Sequence, residues 1–417
     1  MNILTDIYRS IFRGDAPGTE KGKTELVFYN IWLHIHPAKV QKEHLRVTHT
    51  WYLGFISFFL FLILCGTGVA LMFYYHPYPS RAYQDMKDLQ FVVFMGPFLR
   101  NLHRWSAHLM VVAVFLHMCR VFYTASYKGP RKFNWVVGVL LLLGTLGLSF
   151  TGYLLPWDQL AYWAITVGTN IAAYAPFVGS QIRVLLLGGH TIEAQALLRF
   201  YVLHVVILPG ALALLTMVHF WRIRKDGGLS RPLWKLDEDE KPKPDVAVVA
   251  SPEKTYGLME VVTGRPLFEV LTPGQEDDVV FSYPYAFFRE GIAFLLTSAA
   301  VMAASLFFAA PLEELANPAK TPNPAKAPWY FLGLQELVSH SAFLGGVLVP
   351  GLIVVGLMAL PYVDTNPSRK LRERKAVVWI FTLFTLANVV LIIIGTYFRG
   401  AGWGFVLPWV HQAAGGH

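Results

Sequence analysis

The chain has 417 residues, of which 54% are hydrophobic and only 15% charged, with a formal net charge of +8. So little charge cannot coat a water-soluble chain of this size, which excludes an ordinary soluble multidomain protein. The positive balance reads as topogenic charge on loops that flank a membrane, with no nucleic-acid partner.

Met1 to Arg46 alternates charged and apolar positions without a hydrophobic core stretch. No cleavable signal peptide is expected there, and the first span serves as the insertion signal. Apolar runs long enough to cross a bilayer, which takes about 20 residues, then follow in order. The first four are predicted at Trp51 to Tyr75, Leu102 to Tyr123, Trp135 to Leu155 and Leu197 to Ile223. After a stretch rich in Pro, Lys, Asp and Glu that includes the run Asp237 to Asp245, three more are predicted at Ala286 to Ala309, Ala342 to Leu360 and Val377 to Tyr397. The fold class is therefore all-α and polytopic. Its expected divisions are an N-terminal interfacial segment (1–50), a four-helix bundle (51–230), a solvated linker (231–284) and a three-helix C-terminal unit (285–417).

Basic residues concentrate on alternate loops: Arg120, Lys128, Arg131 and Lys132; Arg222, Arg224, Lys225 and Arg231; and Arg369, Lys370, Arg372, Arg374 and Lys375. By the positive-inside rule these loops and the N-terminus are cytoplasmic. Cys65 and Cys119 each stand alone inside an apolar run and read as small core residues. No C-x-x-C-H occurs, so no haem is expected to be attached through that motif.

The second span carries His103 and His117, and the fourth carries His204 and His219, intervals of fourteen and fifteen residues. At about 100° per residue these intervals return to within roughly 40° and 60° of one helix face, and a rise of about 1.5 Å per residue separates the two levels by roughly 21 Å. A single histidine in an apolar span is more often a packing residue or a proton carrier. Four at matched spacing on two antiparallel helices instead make two bis-histidine sites, His103 with His204 and His117 with His219. Two non-covalent b-type haems, one above the other, are the natural occupants, with zinc or a proton relay as the alternatives.

Glycines repeat the same interval, Gly54 and Gly68 in the first span and Gly138 and Gly152 in the third. Close helix packing would explain them singly; the shared spacing favours room for a porphyrin at each depth. Arg100 and Arg120 lie one turn outside the histidine pair of the second span, where haem propionates would emerge, although arginine at a helix end also serves as an interfacial anchor. Pro209 can kink the fourth span and absorb its extra residue.

The segments RNLHRWSAHLMVVAVFLHMCR, FTGYLLPWDQLAYWAITVGTN, LLRFYVLHVVILP and KAPWYFLGLQEL resemble the cytochrome b family of quinol:cytochrome c (or plastocyanin) oxidoreductases. The resemblance covers nearly the whole chain from the first span onward. The fifteen-residue interval and LPWDQLAYWA look like the chloroplast and cyanobacterial branch, in which the last three spans form a separate polypeptide; here they are fused. The resemblance implies a Q cycle, in which quinol is oxidised near the non-cytoplasmic face. One electron passes to a Rieske iron-sulfur protein, and the other crosses the haem stack to reduce quinone near the cytoplasmic face. It further implies a cytochrome c acceptor and a homodimer of a multisubunit complex, and the fused chain suggests a bacterial plasma membrane.

For quinol oxidation the family match points to Tyr153, Pro156, Trp157 and Trp163, with Pro328, Trp329 and Tyr330. An aromatic interface belt would explain those rings on composition alone. For quinone reduction, Arg224 and Asp226 just past His219 are candidates, with His44 and His49 behind them, and a solvated charged loop is an equal reading there. The family's Pro-Glu-Trp-Tyr stands here as Ala327, Pro328, Trp329, Tyr330, so the motif glutamate is missing and Glu336 becomes a candidate for proton release. That loss and the C-terminal FRGAGWGFVLPW resemble menaquinol-using bacterial relatives. Tyr52 occupies the position at which the chloroplast-type protein attaches an extra haem through cysteine, so no such haem is expected. Two other classes compete: a dihaem membrane anchor of a hydrogenase, formate dehydrogenase or nitrate reductase, which needs no C-terminal unit, and a transporter with intramembrane histidines.

Overall fold

The computed structural model describes residues 18–19, 22–24, 26, 36–37, 39–226, 228–229 and 279–409. The charged stretch expected as a linker, including Asp237 to Asp245, lies outside the described residues. Among the described residues, seven helices are long and apolar enough to cross a membrane. With the shorter helices between them, the elements in chain order are α1 (Leu53–Met72), α2 (Pro79–Phe91), α3 (Gly96–Tyr123), α4 (Lys132–Tyr153), α5 (Gln159–Ala173), α6 (Gly179–Leu187), α7 (Ala194–Lys225), α8 (Ser282–Phe307), α9 (Trp329–His340), α10 (Leu344–Val363) and α11 (Lys375–Tyr397). The spanning helices are α1, α3, α4, α7, α8, α10 and α11. Their apolar windows are at most 33% buried, so most of their aliphatic surface faces outward, as hydrocarbon surroundings allow and water does not. This is a membrane protein.

The chain divides into two compact units, one of residues 53–218 and 296–417 and the other of residues 1–52 and 219–295. In the first, one well-buried core lies largely in the connecting segments at one end of the spans. Tyr75, Leu89, Leu154, Trp157, Ile165, Leu187 and Phe200 pack where α2, α5 and α6 meet the ends of the long helices. Those three connecting helices are not marked by the spanning hydropathy from which the seven spans are read.

The Pro-Trp-Asp-Gln segment organises this end. Asp158 caps α5 by accepting from Ala161 N–H at 2.9 Å, and its other oxygen accepts from Glu313 N–H at 3.2 Å. Gln159 accepts from Asn317 N–H at 2.7 Å, and its own N–H donates to Glu314 O at 2.8 Å. The connection from α8 to α9 is thereby laid against α5. Burial pushes the Asp158 carboxyl up, and the two backbone donors work against that. At the far end of α3, Asp364 takes hydrogen bonds from Tyr127 and Arg374 and pairs with Lys128 at 3.1 Å, which ties the α3–α4 connection to the α10–α11 connection.

Two spans contain a π-turn, Leu203–Ile207 in α7 and Leu344–Leu348 in α10. Each is followed two residues later by a proline, Pro209 and Pro350. A proline has no N–H for the carbonyl one turn earlier, so a wider turn just ahead of it costs little. The irregularity expected at Pro209 is thus a π-turn, which holds one residue more than an α-turn.

The second unit is small. Its strands β1 (Lys39–Gln41) and β2 (Val279–Phe281) pair antiparallel, Lys39 opposite Phe281. Within it His36 pairs with Glu290 at 2.8 Å, and Tyr52 O–H donates to Leu45 O at 3.0 Å.

Candidate functional site: a histidine pair and an aromatic cluster

Within the larger unit, α3 and α7 bring His103 and His204 together with ring centroids 6.2 Å apart and planes inclined by 75°. Two metal–imidazole bonds of roughly 2.0–2.1 Å, plus about 1.1 Å from nitrogen to ring centre on either side, amount to roughly 6.3 Å. The separation fits one metal ion held between the two rings.

A threonine sets the tautomer of each ring. Thr67 Oγ1 spends its own proton on Ile63 O at 2.7 Å, so at 2.8 Å from His103 Nδ1 it can only accept. Thr151 does the same, donating to Gly147 O at 2.9 Å and lying 3.1 Å from His204 Nδ1. With Nδ1–H spent on a hydroxyl oxygen, the lone pair of each imidazole is at Nε2, the atom a haem iron takes. Among the described residues no group of three or more His, Cys, Asp or Glu side chains could hold a metal ion. A tetrahedral zinc site lacks its ligands here, whereas haem brings four nitrogens of its own.

The glycines seat these rings. A Cβ on Gly152 would lie 2.5 Å from His204 Cε1, one on Gly68 3.4 Å from His103 Cε1, and one on Gly54 3.2 Å from His117 Cε1. What each hydrogen makes room for is the imidazole itself. Thr67 and Thr151 each immediately precede one of these glycines, so the repeated Thr-Gly dipeptide is the sequence signal for both the seat and the tautomer. Gly138 lies on α4 and His219 on α7, in the last turns before Lys225.

Arg100 is fixed by three acceptors, Gln90 Oε1 at 2.9 Å, Ala310 O at 2.8 Å and Pro311 O at 2.5 Å. It anchors the α8–α9 connection one turn outside His103. Arg120 holds the corresponding place outside His117 on the last turns of α3.

Beside this centre the aromatic candidates gather. Trp329 and Tyr330 open α9, behind Pro328 as its cap residue, with rings 5.3 Å apart. Tyr153 ends α4 and interacts electrostatically with Tyr330 and with Arg104 of α3. Burial pushes the Tyr330 hydroxyl up to about 12, with Arg104 and Ser149 opposing. Trp157 belongs to the buried core at this end, and Trp163 N–H donates to Lys320 O at 3.1 Å. The alignment of sequence motifs missed two neighbours, Arg104 and His108. Trp329 Nε1–H donates to His108 Nδ1 at 2.9 Å.

Glu336 stands apart from these rings. It is buried, accepts from Arg399 through both oxygens and from Trp403 Nε1–H at 3.0 Å, and has His340 3.4 Å away. Arg399 and Trp403 come from the C-terminal FRGAGWG. The Arg399 guanidinium holds the Glu336 carboxyl below the usual range, against the opposing effect of burial. A carboxylate paired in this way keeps its charge rather than a proton.

In the smaller unit, Asp226 pairs with Arg222 at 3.0 Å and Arg224 lies on the same last turn of α7. His44 and His49 stack with centroids 5.4 Å apart.

The chain is similar to known proteins. Residues 39–227 match the family model cytochrome b/b6/petB, and residues 315–412 match cytochrome b(C-terminal)/b6/petD. Cytochrome b6 of Heliobacterium modesticaldum is 44% identical over 200 residues, 47% of this chain and 93% of that protein. The menaquinol:cytochrome c reductase cytochrome b subunit of Bacillus subtilis is 43% identical over 201 residues, 48% of this chain and 89% of that one. A chain of a hyperthermophilic respiratory complex III superposes with a TM-score of 0.67 at 26% identity, covering 83% of this chain and 84% of that one. The chain carries the N-terminal and C-terminal halves of one architecture in a single polypeptide, and it belongs to the cytochrome b/b6 family.

Proposed function

We propose that this chain is the dihaem cytochrome b subunit of a quinol:cytochrome c oxidoreductase, resident in a bacterial plasma membrane with its N-terminus cytoplasmic. The observation that carries the reading is the His103–His204 pair at 6.2 Å, each ring held by a threonine at Nδ1. His117 and His219 hold the second haem at the other depth, by their helical spacing, with Gly54 seating His117 and Gly138 leaving space on α4. Arg100 and Arg120, near the two ends of α3, would hold haem propionates, Arg100 through the N–H groups left over from Gln90, Ala310 and Pro311. When bound, the two haems supply a path for single electrons across the bilayer.

Quinol is oxidised in the pocket of Tyr153, Pro328, Trp329 and Tyr330, near the non-cytoplasmic face. One electron leaves to a Rieske iron-sulfur protein and then a cytochrome c; the other crosses to a quinone-reduction pocket that includes Arg224 and Asp226. The proton of each quinol hydroxyl is released on one side and taken up on the other, so electron transfer is coupled to proton translocation. Menaquinol is the favoured substrate, in keeping with the Bacillus relative and the missing motif glutamate. Glu336 supports the pocket by fixing the C-terminal turn against α9, and proton release through it would first require its pair with Arg399 to open. Residues 51–230 form the haem bundle and 285–417 the quinol-pocket unit, within a homodimeric multisubunit complex.

The test is a dithionite-reduced minus oxidised spectrum, with haem extraction, of the complex purified with its native partners. Wild type is expected to carry two non-covalent b haems per chain, with His204→Ala and His117→Ala each losing mainly one. A folded preparation without b-type absorbance would overturn the reading and favour a transporter.

A further inference from the structure

His108 takes no part in the haem centre, and no role has yet been given to it. It stands five residues beyond His103 on α3, about 140° around the helix, and so faces away from the haem side. Arg104, four residues before it, shares its face. Its partner is fixed: Trp329 Nε1–H lies 2.9 Å from His108 Nδ1. An indole nitrogen can only donate, so Nδ1 must be the acceptor and the neutral ring carries its proton at Nε2. This is the opposite tautomer to that of His103 and His204. Among the described residues nothing takes up that Nε2–H. The ring meets Tyr330 edge to face at 5.6 Å and lies 5.3 Å from Trp105, whose own N–H is spent on Phe308 O at 2.8 Å. The Arg104 guanidinium interacts electrostatically with His108, Tyr153 and Tyr330 together. A locked, unspent donor beside a cation and against the rings of Trp329 and Tyr330 is chemistry suited to an oxygen that gains negative charge.

We propose that His108 is a substrate-binding residue of this pocket, donating Nε2–H to one quinol oxygen, with Trp329 as the positioning residue that sets its tautomer. The inference rests on the reading that this pocket oxidises quinol. A quinol oxygen accepts such a bond through its lone pairs and a quinone carbonyl can do nothing else, so the contact persists through the reaction. It strengthens as the hydroxyl proton leaves, because charge then builds on the accepting oxygen.

The experiment compares wild-type complex with His108→Leu and His108→Gln, using a short-chain menaquinol analogue and cytochrome c, with haem content read from the reduced-minus-oxidised spectrum. A glutamine amide reaches the Nε2 position and keeps the donor; leucine does not. His108→Leu is expected to lose roughly tenfold in kcat/KM, the scale of one hydrogen bond to a group gaining charge, with two haems retained. His108→Gln is expected to recover most of that loss. Wild-type kinetics in His108→Leu, or equal failure of both variants at full haem content, would overturn the proposal while leaving the pocket reading intact. A wild-type complex with two haems that does not oxidise quinol would overturn both.

Discussion

Thr67 Oγ1 sits 2.8 Å from His103 Nδ1 while donating its own proton to Ile63 O at 2.7 Å. The hydroxyl is therefore an acceptor toward the imidazole, and a ring that donates from Nδ1 is a better electron donor through Nε2. A more basic ligand favours the oxidised metal. Thr67→Val keeps the shape and removes the acceptor. Losing about 1 kcal/mol of hydrogen bonding corresponds to roughly 40 mV in a one-electron couple, so the haem at His103 should rise in midpoint potential by about that amount. Potentiometric titration of the difference spectrum reads it, and an unchanged potential would count against the tautomer argument. Thr151→Val should act in the same direction and less, since its contact to His204 is longer at 3.1 Å.

The glycine seats predict a ranking. A methyl on Gly152 would lie 2.5 Å from His204 Cε1, on Gly54 3.2 Å from His117 Cε1, and on Gly68 3.4 Å from His103 Cε1. The first is an overlap that only displacement of the ring relieves; the last is close to ordinary contact. Haem retention after detergent extraction should fall in the order Gly68→Ala, Gly54→Ala, Gly152→Ala. Equal retention in all three would show that the seats tolerate a side chain.

The π-turn at Leu203–Ile207 makes a less intuitive prediction. If its extra residue is what lets a fifteen-residue interval act as fourteen, then deleting Val206 should restore a regular α-turn and leave His219 on the same face as His204. Such a deletion in a transmembrane helix would ordinarily rotate everything after it by about 100°. Two haems in the deletion variant would support the absorbing role, and loss of one would refute it.

Glu336 carries a pH prediction with a defined sign. Its folded carboxyl is held below the usual value, first by the hydrogen bonds from Arg399. The unfolded glutamate titrates near about 4.3, so the stabilisation is fully present above that pH and drains away as pH falls through the lower folded value. Glu336→Gln should lower thermal stability at neutral pH by about 1 kcal/mol, since the Arg399 guanidinium left behind is only partly buried and keeps its bond to Trp403 O. The difference from wild type should shrink toward pH 3 in thermal unfolding followed by circular dichroism. A constant difference across that range would mean that the ion pair is not the source.

Much of this protein can be read from the sequence by itself. Seven spans follow from run length and the scarcity of charge, because bilayer thickness and backbone desolvation leave a chain few ways to cross. The histidine intervals put His103 and His117, and His204 and His219, near one face of their helices at two levels, because helical geometry converts spacing along the chain into direction. The Thr-Gly repeats were equally present there, but only contact distances separate a glycine that seats an imidazole from one that merely packs helices. The tertiary structure alone decided the tautomers of His103, His204 and His108, since a proton's position depends on which partner lies across the gap. It also decided that Glu336 is spent on Arg399 and Trp403, sixty-three and sixty-seven residues away. Side-chain partners of that kind leave no periodic trace, because the chain that joins them is free to take any length.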